Sequence, residues 1–162
     1  MPSRKRQGPL RFAAHIPFVE EIGLELWHAA EGTSELRITL DAAHHNSQDM
    51  AHGGVLMTLL DVAMAQAART GHREGDKLGP SVVTIEMKTT FVHPARGVLT
   101  ARGKLLHRTP TMAFCEGSVF DPKSQLCAHA TGTFKYLRAR RHLADDDEPG
   151  ASTAEPAAGH SI

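Results

Sequence analysis

The feature that most constrains this chain is the stretch that opens with His52-Gly53-Gly54 and continues through Val55, Leu56, Met57, Thr58, Leu59, Leu60, Asp61, Val62, Ala63 and Met64 to Ala68. From Val55 onward it is apolar at nearly every position, whereas a helix lying on a protein surface is apolar along one stripe. It is too short and too interrupted to span a bilayer, so it predicts a helix buried in a folded domain. Alanine, leucine and methionine are strong helix formers, and Gly53-Gly54 marks the entry. One carboxylate, Asp61, interrupts the apolar run. Such a group must be paired or hydrogen-bonded, or else carry a shifted pKa, because desolvating it alone costs several kcal/mol or more.

The flanking sequence says what covers this helix. Residues 22–28 and 36–40 alternate apolar with other residues around the turn Glu31-Gly32-Thr33, which predicts an antiparallel hairpin with one buried face. Residues 12–21 predict a short helix or turn ahead of it, with Pro17 at the entry. A polar loop, 41–51, leads into the glycines. The helix should end near Thr70-Gly71, with glycine as its C-cap and a charged loop at 72–77. After Gly79-Pro80 the texture is that of strands at 82–92, 98–107, 112–120 and 126–137, separated by turns at 93–97, 108–110 and 121–123. The order is hairpin, long buried helix, then meander: an α+β architecture. A single curved sheet covers only one side of a helix that is apolar all round, so the pattern predicts a dimer.

The 162 residues suit one domain with a real core. We bound it at 12–141, between a basic arm at 1–11 containing Arg4-Lys5-Arg6 and an acidic, Ala/Pro/Gly-rich tail at 142–162 that cannot bury enough apolar surface to fold. Lysine plus arginine equals aspartate plus glutamate, 18 each, which argues against nucleic acid or an anionic membrane as partner. Cys115 and Cys127 have neither disulfide-framework nor metal spacing and read as buried free thiols. With no secretory apolar region and no membrane span, the expectation is a cytoplasmic protein.

Asn46, then His52-Gly53-Gly54, then Leu59-Leu60-Asp61 resembles the hotdog-fold acyl-CoA thioesterases of the phenylacetic-acid-degradation (PaaI-like) type. Val83-Thr84-Ile85-Glu86-Met87, Phe91-Val92-His93-Pro94-Ala95 with Gly97, and Ala128 with Ala130-Thr131-Gly132-Thr133-Phe134 agree, so the resemblance covers roughly residues 20–137. It implies a hotdog fold, a long helix wrapped by a curved antiparallel sheet. It also implies homodimers with one continuous sheet and shared active sites, paired into a dimer of dimers.

The implied chemistry is hydrolysis of the thioester of an aryl-acetyl-, aromatic or medium-chain acyl-CoA. In it the Gly53 N–H would serve as oxyanion donor and Asn46 would position the substrate carbonyl or a water. Asp61 would act as general base or nucleophile, and Thr84 would hold the water. His52 and Gly54 would contact substrate. By charge and turn position, Arg96 and Arg108 are candidates for the CoA phosphates and adenine. No cofactor and no metal are implied; His44, His45 and His52 lack the carboxylates or cysteines that metal ligation would need.

Spacing supports the division of labour. Gly53 and Asp61 lie eight residues apart, about 12 Å along a helix, too far for both to reach one carbon from the same chain. Each residue also has a plainer reading: Asp61 as a structural carboxylate, Asn46 as a turn former, Thr84 as a strand former, and the arginines as solvated turn residues. Two other functions compete. One is an acyl-CoA-binding sensor, against which the chain shows no appended DNA-binding segment. The other is a hotdog hydratase, for which His52 and Asp61 would be the only Asp/His pair at hand.

Overall fold

The alternating stretches become six strands: β1 (Glu25–Ala30), β2 (Thr33–Thr39), β3 (Val82–Phe91), β4 (Val98–Arg108), β5 (Met112–Phe120) and β6 (Leu126–Tyr136). They form one antiparallel sheet in the order β1-β2-β4-β5-β6-β3. The structure, a computed structural model, describes residues 8–71 and 79–137. The acidic tail at 142–162, the last four residues of the domain as bounded above, the first seven residues of the basic arm and the charged loop 72–77 lie outside the described residues.

The central helix, α2, spans Gly53–Thr70, the span its sequence predicts. Leu56, Leu59, Leu60, Ala63, Met64 and Ala67 are buried on the sheet, over Leu36, Ile38, Leu99, Val119 and Phe134. Each large side chain among them contributes roughly 1.5–3 kcal/mol by leaving water. The helix sits unusually close where Gly103 of β4 faces it: any Cβ there would run into the Ala63 carbonyl, and Ser34 Oγ donates to that same oxygen at 2.6 Å. The cavity-facing side differs. Met57 is 39 % exposed, and Thr58, Asp61, Ala65 and Arg69 are only partly buried. One chain therefore leaves a stripe of α2 uncovered.

The structure refines several boundaries. Helix α1 (Pro17–Glu21) is a single turn with proline at its start, and Gly23, at φ +71, turns the chain so that β1 begins at Glu25. Leu10 is tied to the sheet rather than free, its N–H donating to the Leu26 carbonyl at 2.6 Å. Gly71 ends α2 but at φ −70, so left-handed freedom is not why glycine stands there. A Cβ at that position would meet a terminal methyl of Leu105, so a side chain there would require Leu105 to shift. Cys115 and Cys127 are both buried free thiols, and burial pushes the Cys115 thiol up to about 12.

Candidate active site

Asp61 lies midway along α2, on the uncovered stripe. Strand β3 runs past it, and a bulge between Thr84 and Glu86 shifts the register of β3 against β6. Bulges re-aim side chains. Here Thr84 Oγ1 donates to Asp61 Oδ1 at 2.6 Å. Burial raises the Asp61 pKa above the ordinary carboxylate value, and the Thr84 hydrogen bond offsets part of that rise. The result is a carboxylate with one oxygen held and enough basicity to take a proton. It faces a cavity of about 560 Å³ walled by Ile16, Phe18, Met57, Val62, Val82 and Met87.

At the other end of the exposed stripe the helix begins. His52 is its N-cap, and its Nδ1 accepts the Gly54 N–H at 2.9 Å. The Gly54 N–H is thus spent on the helix itself, whereas the Gly53 N–H meets no acceptor among the described residues. A free N–H at the positive end of the helix dipole is suited to a developing oxyanion. Gly53 opens on a smaller pocket of about 290 Å³ with Asn46, Leu56, Phe91 and His93. Its missing side chain keeps that pocket open, since a Cβ would come within 3.3 Å of Phe91 Cζ.

Asn46 owes its place to a tight loop. Its N–H donates to the Met50 carbonyl at 2.8 Å, and its Oδ1 accepts the Gln48 N–H at 2.9 Å. The amide nitrogen of its side chain is left to donate elsewhere. Arg96 clamps the same loop: Nε donates to the Asp49 carbonyl at 3.1 Å and an Nη to that of Gln48 at 3.3 Å. Its guanidinium therefore holds the Asn46 loop. Arg108 ends β4 beside Tyr136, whose hydroxyl donates to the Ala68 carbonyl near the far end of α2. It lines neither pocket.

The histidines ahead of the helix serve the backbone. His44 is buried, accepts the Asp41 N–H at Nδ1 and donates from Nε2 to the Ile22 carbonyl at 3.0 Å. Among the described residues no three His, Cys, Asp or Glu side chains converge as metal ligands. Sequence reasoning missed the wall built by Ile16 and Phe18, and it missed Phe91 at the mouth of the Gly53 pocket. The first had no signal beyond its apolarity. The second had none either, since the approach of Phe91 to Gly53 exists only in the folded chain.

Three comparisons bear on this geometry. The family described as Thioesterase superfamily matches residues 48–128, a stretch that takes in Gly53, Asp61 and Thr84 and stops just short of Asn46. A Saccharolobus solfataricus protein provisionally named an esterase is 29 % identical over 118 residues, covering 72 % of this chain and 75 % of its own. Among solved structures, a mutant form of the phenylacetic acid degradation protein PaaI from Thermus thermophilus is similar at 27 % identity and TM-score 0.66, over 75 % of this chain and 100 % of that one. A conserved protein from Pseudomonas aeruginosa is similar at 27 % identity and TM-score 0.70, over 76 % and 95 %. No helix among the described residues is long and apolar enough to cross a membrane.

Proposed function

The chain belongs to the thioesterase superfamily, with the hotdog fold, and on that premise we propose that it hydrolyses acyl-CoA thioesters at sites shared between two copies of itself. One observation carries the reading: a partly buried carboxylate of raised pKa, held by a hydroxyl, faces an apolar cavity large enough for an acyl group. In the reaction water adds to the thioester carbonyl and gives its proton to Asp61. The oxyanion is stabilised by the Gly53 N–H, with the Asn46 amide positioning the carbonyl or the water. CoA thiolate then leaves, taking the proton back, and the free acid departs. Alternatively the Asp61 carboxylate attacks the carbonyl itself and expels CoA thiolate, forming an anhydride that water opens at the Asp61 carboxyl carbon. A single turnover in labelled water separates the two, since only the second route leaves label in Asp61.

The partner is a second copy of this chain. Strand β3 is an edge of the sheet, and Val83, Ile85 and Phe91 on it are 42 %, 54 % and 52 % exposed. An open edge with apolar side chains invites another strand. Pairing β3 with its copy would run the two sheets together and set two α2 helices side by side. One chain's Gly53 and Asn46 would then meet the other's Asp61.

The test is thiol release from phenylacetyl-, benzoyl- and straight-chain acyl-CoAs, with light scattering to give the oligomeric state. We expect turnover on members of this panel by a dimer or a larger even assembly. Folded protein that releases no thiol across the panel, while binding acyl-CoA, would make it a sensor instead.

A further inference from the structure

The cavity beside Asp61 is mixed in character. Most of its walls are apolar, but Thr58, Gln66, Arg69 and Ser81 also line it, and Arg69 stands furthest from the carboxylate along α2. Arg69 is two turns along α2 from Asp61, about 12 Å by the rise of a helix. Its side chain forms no hydrogen bond or ion pair among the described residues, and its Nε is buried with no acceptor. A guanidinium stays charged under all ordinary conditions, even though burial lowers its pKa. A buried, charged N–H without an acceptor is costly and rare in a native fold, and a bound ligand is one reason for it to persist. Asp61 does not answer that charge, since its pKa is set by burial and by Thr84 rather than by Arg69.

We propose that Arg69 binds a carboxylate at the distal end of the substrate's acyl group, so that the preferred substrates are CoA half-thioesters of medium-length dicarboxylic acids. The inference rests on the thioesterase reading and adds a substrate class to it. The planar fork of a guanidinium matches a carboxylate in two parallel hydrogen bonds. The apolar walls of the cavity suit the intervening methylenes, and the separation of Arg69 from Asp61 sets their number. The CoA phosphates carry similar anionic chemistry. They lie on the other side of the thioester, however, and Arg69 sits within the apolar cavity that takes the acyl side.

The experiment compares kcat/KM for six-, eight- and ten-carbon dicarboxylic half-thioesters with their methyl-ended counterparts, using thiol release. Wild-type protein should prefer the carboxyl-ended substrate by about tenfold or more at one chain length at least. In Arg69→Met the ratio between the two series should fall by a similar factor, and Arg69→Lys should retain part of the preference. Hydrolysis of methyl-ended substrates with no preference at any length would overturn the proposal, and this wild-type result does not depend on the variants folding. A preference that survives in Arg69→Met would also overturn it. So would equal losses on both series, which would place the guanidinium on the CoA phosphates. Failure of the thioesterase reading itself looks different, because neither series would then release thiol.

Discussion

Two pockets open along the same face of α2, and their contents are complementary. The pocket at the helix start offers the free Gly53 N–H and the Asn46 amide, and no carboxylate lines it. The cavity at mid-helix offers Asp61 with Thr84 and apolar walls, but no free helix-terminal N–H. On the proposed reading, one supplies the donors for an oxyanion and the other supplies the base. Eight helical residues, about 12 Å, hold them apart within a chain. On that reading α2 carries both halves of the site and still cannot bring them to one carbon within a chain. A second, antiparallel copy of the helix would do so.

Four experiments test this division between the pockets. The largest effect should come from the base. Asp61→Asn keeps the shape and the acceptor for Thr84 but removes the basicity, so kcat should fall by about three orders of magnitude, roughly 4 kcal/mol. Retention of more than about a tenth of the wild-type rate, a deficit under ~1.4 kcal/mol, would remove Asp61 from the chemistry. The same substitution should raise the melting temperature at neutral pH. A carboxyl group whose pKa is raised by folding binds protons more readily in the folded state, so its contribution to stability declines as pH rises from the unfolded value through the folded one. The advantage of the Asp61→Asn variant over the wild type should therefore vanish in acid.

The second experiment joins the two pockets across chains. Asn46→Ala damages one pocket and Asp61→Asn the other. In a tagged heterodimer of the two variants, shared sites leave one site with both defects and one with neither. Activity should return to as much as half the wild-type value per dimer. Sites built within single chains would leave the heterodimer as inactive as its parents, and that outcome would refute the shared arrangement.

The third confines its effect to the helix start. Gly53→Ala preserves the N–H but sets a methyl against Phe91, where on the proposed reading the substrate approaches. We expect kcat/KM to fall by about ten- to a hundredfold. Because Phe91 is half exposed and can give way, the thermal melt should move little. A fall in melting temperature in proportion to the activity would mean that the glycine serves the fold.

The smallest effect is a shift rather than a loss. The Thr84 hydroxyl stabilises the charged form of Asp61. In Thr84→Val the carboxyl pKa should rise further, moving the acid limb of the kcat/KM profile to higher pH with a modest change in the plateau. An unmoved limb would mean that the group titrating in that profile is not Asp61.

What could be read from the residues alone was whatever depends on neighbours along the chain. The span of α2 follows from its composition and from the glycines at its start, and the four later strands from alternation between turns. Asp61 stood out because a carboxylate in an apolar helix is costly wherever that helix packs. Tertiary structure alone decided the rest. Thr84 donates to Asp61 from a strand position next to a bulge in β3, and local alternation encodes neither the bulge nor the partner. Arg96 holds the Asn46 loop from 47 residues away, a pairing invisible from its turn sequence. Ile16 and Phe18 line the same cavity as residues of α2 some forty positions further along the chain. Gly71 lies against the Leu105 side chain and owes nothing to a left-handed φ. In a sheet, a shift of one residue sends a side chain to the opposite face, so the identity of a distant partner depends on register and bulges. Those emerge only when strands far apart in sequence are laid side by side.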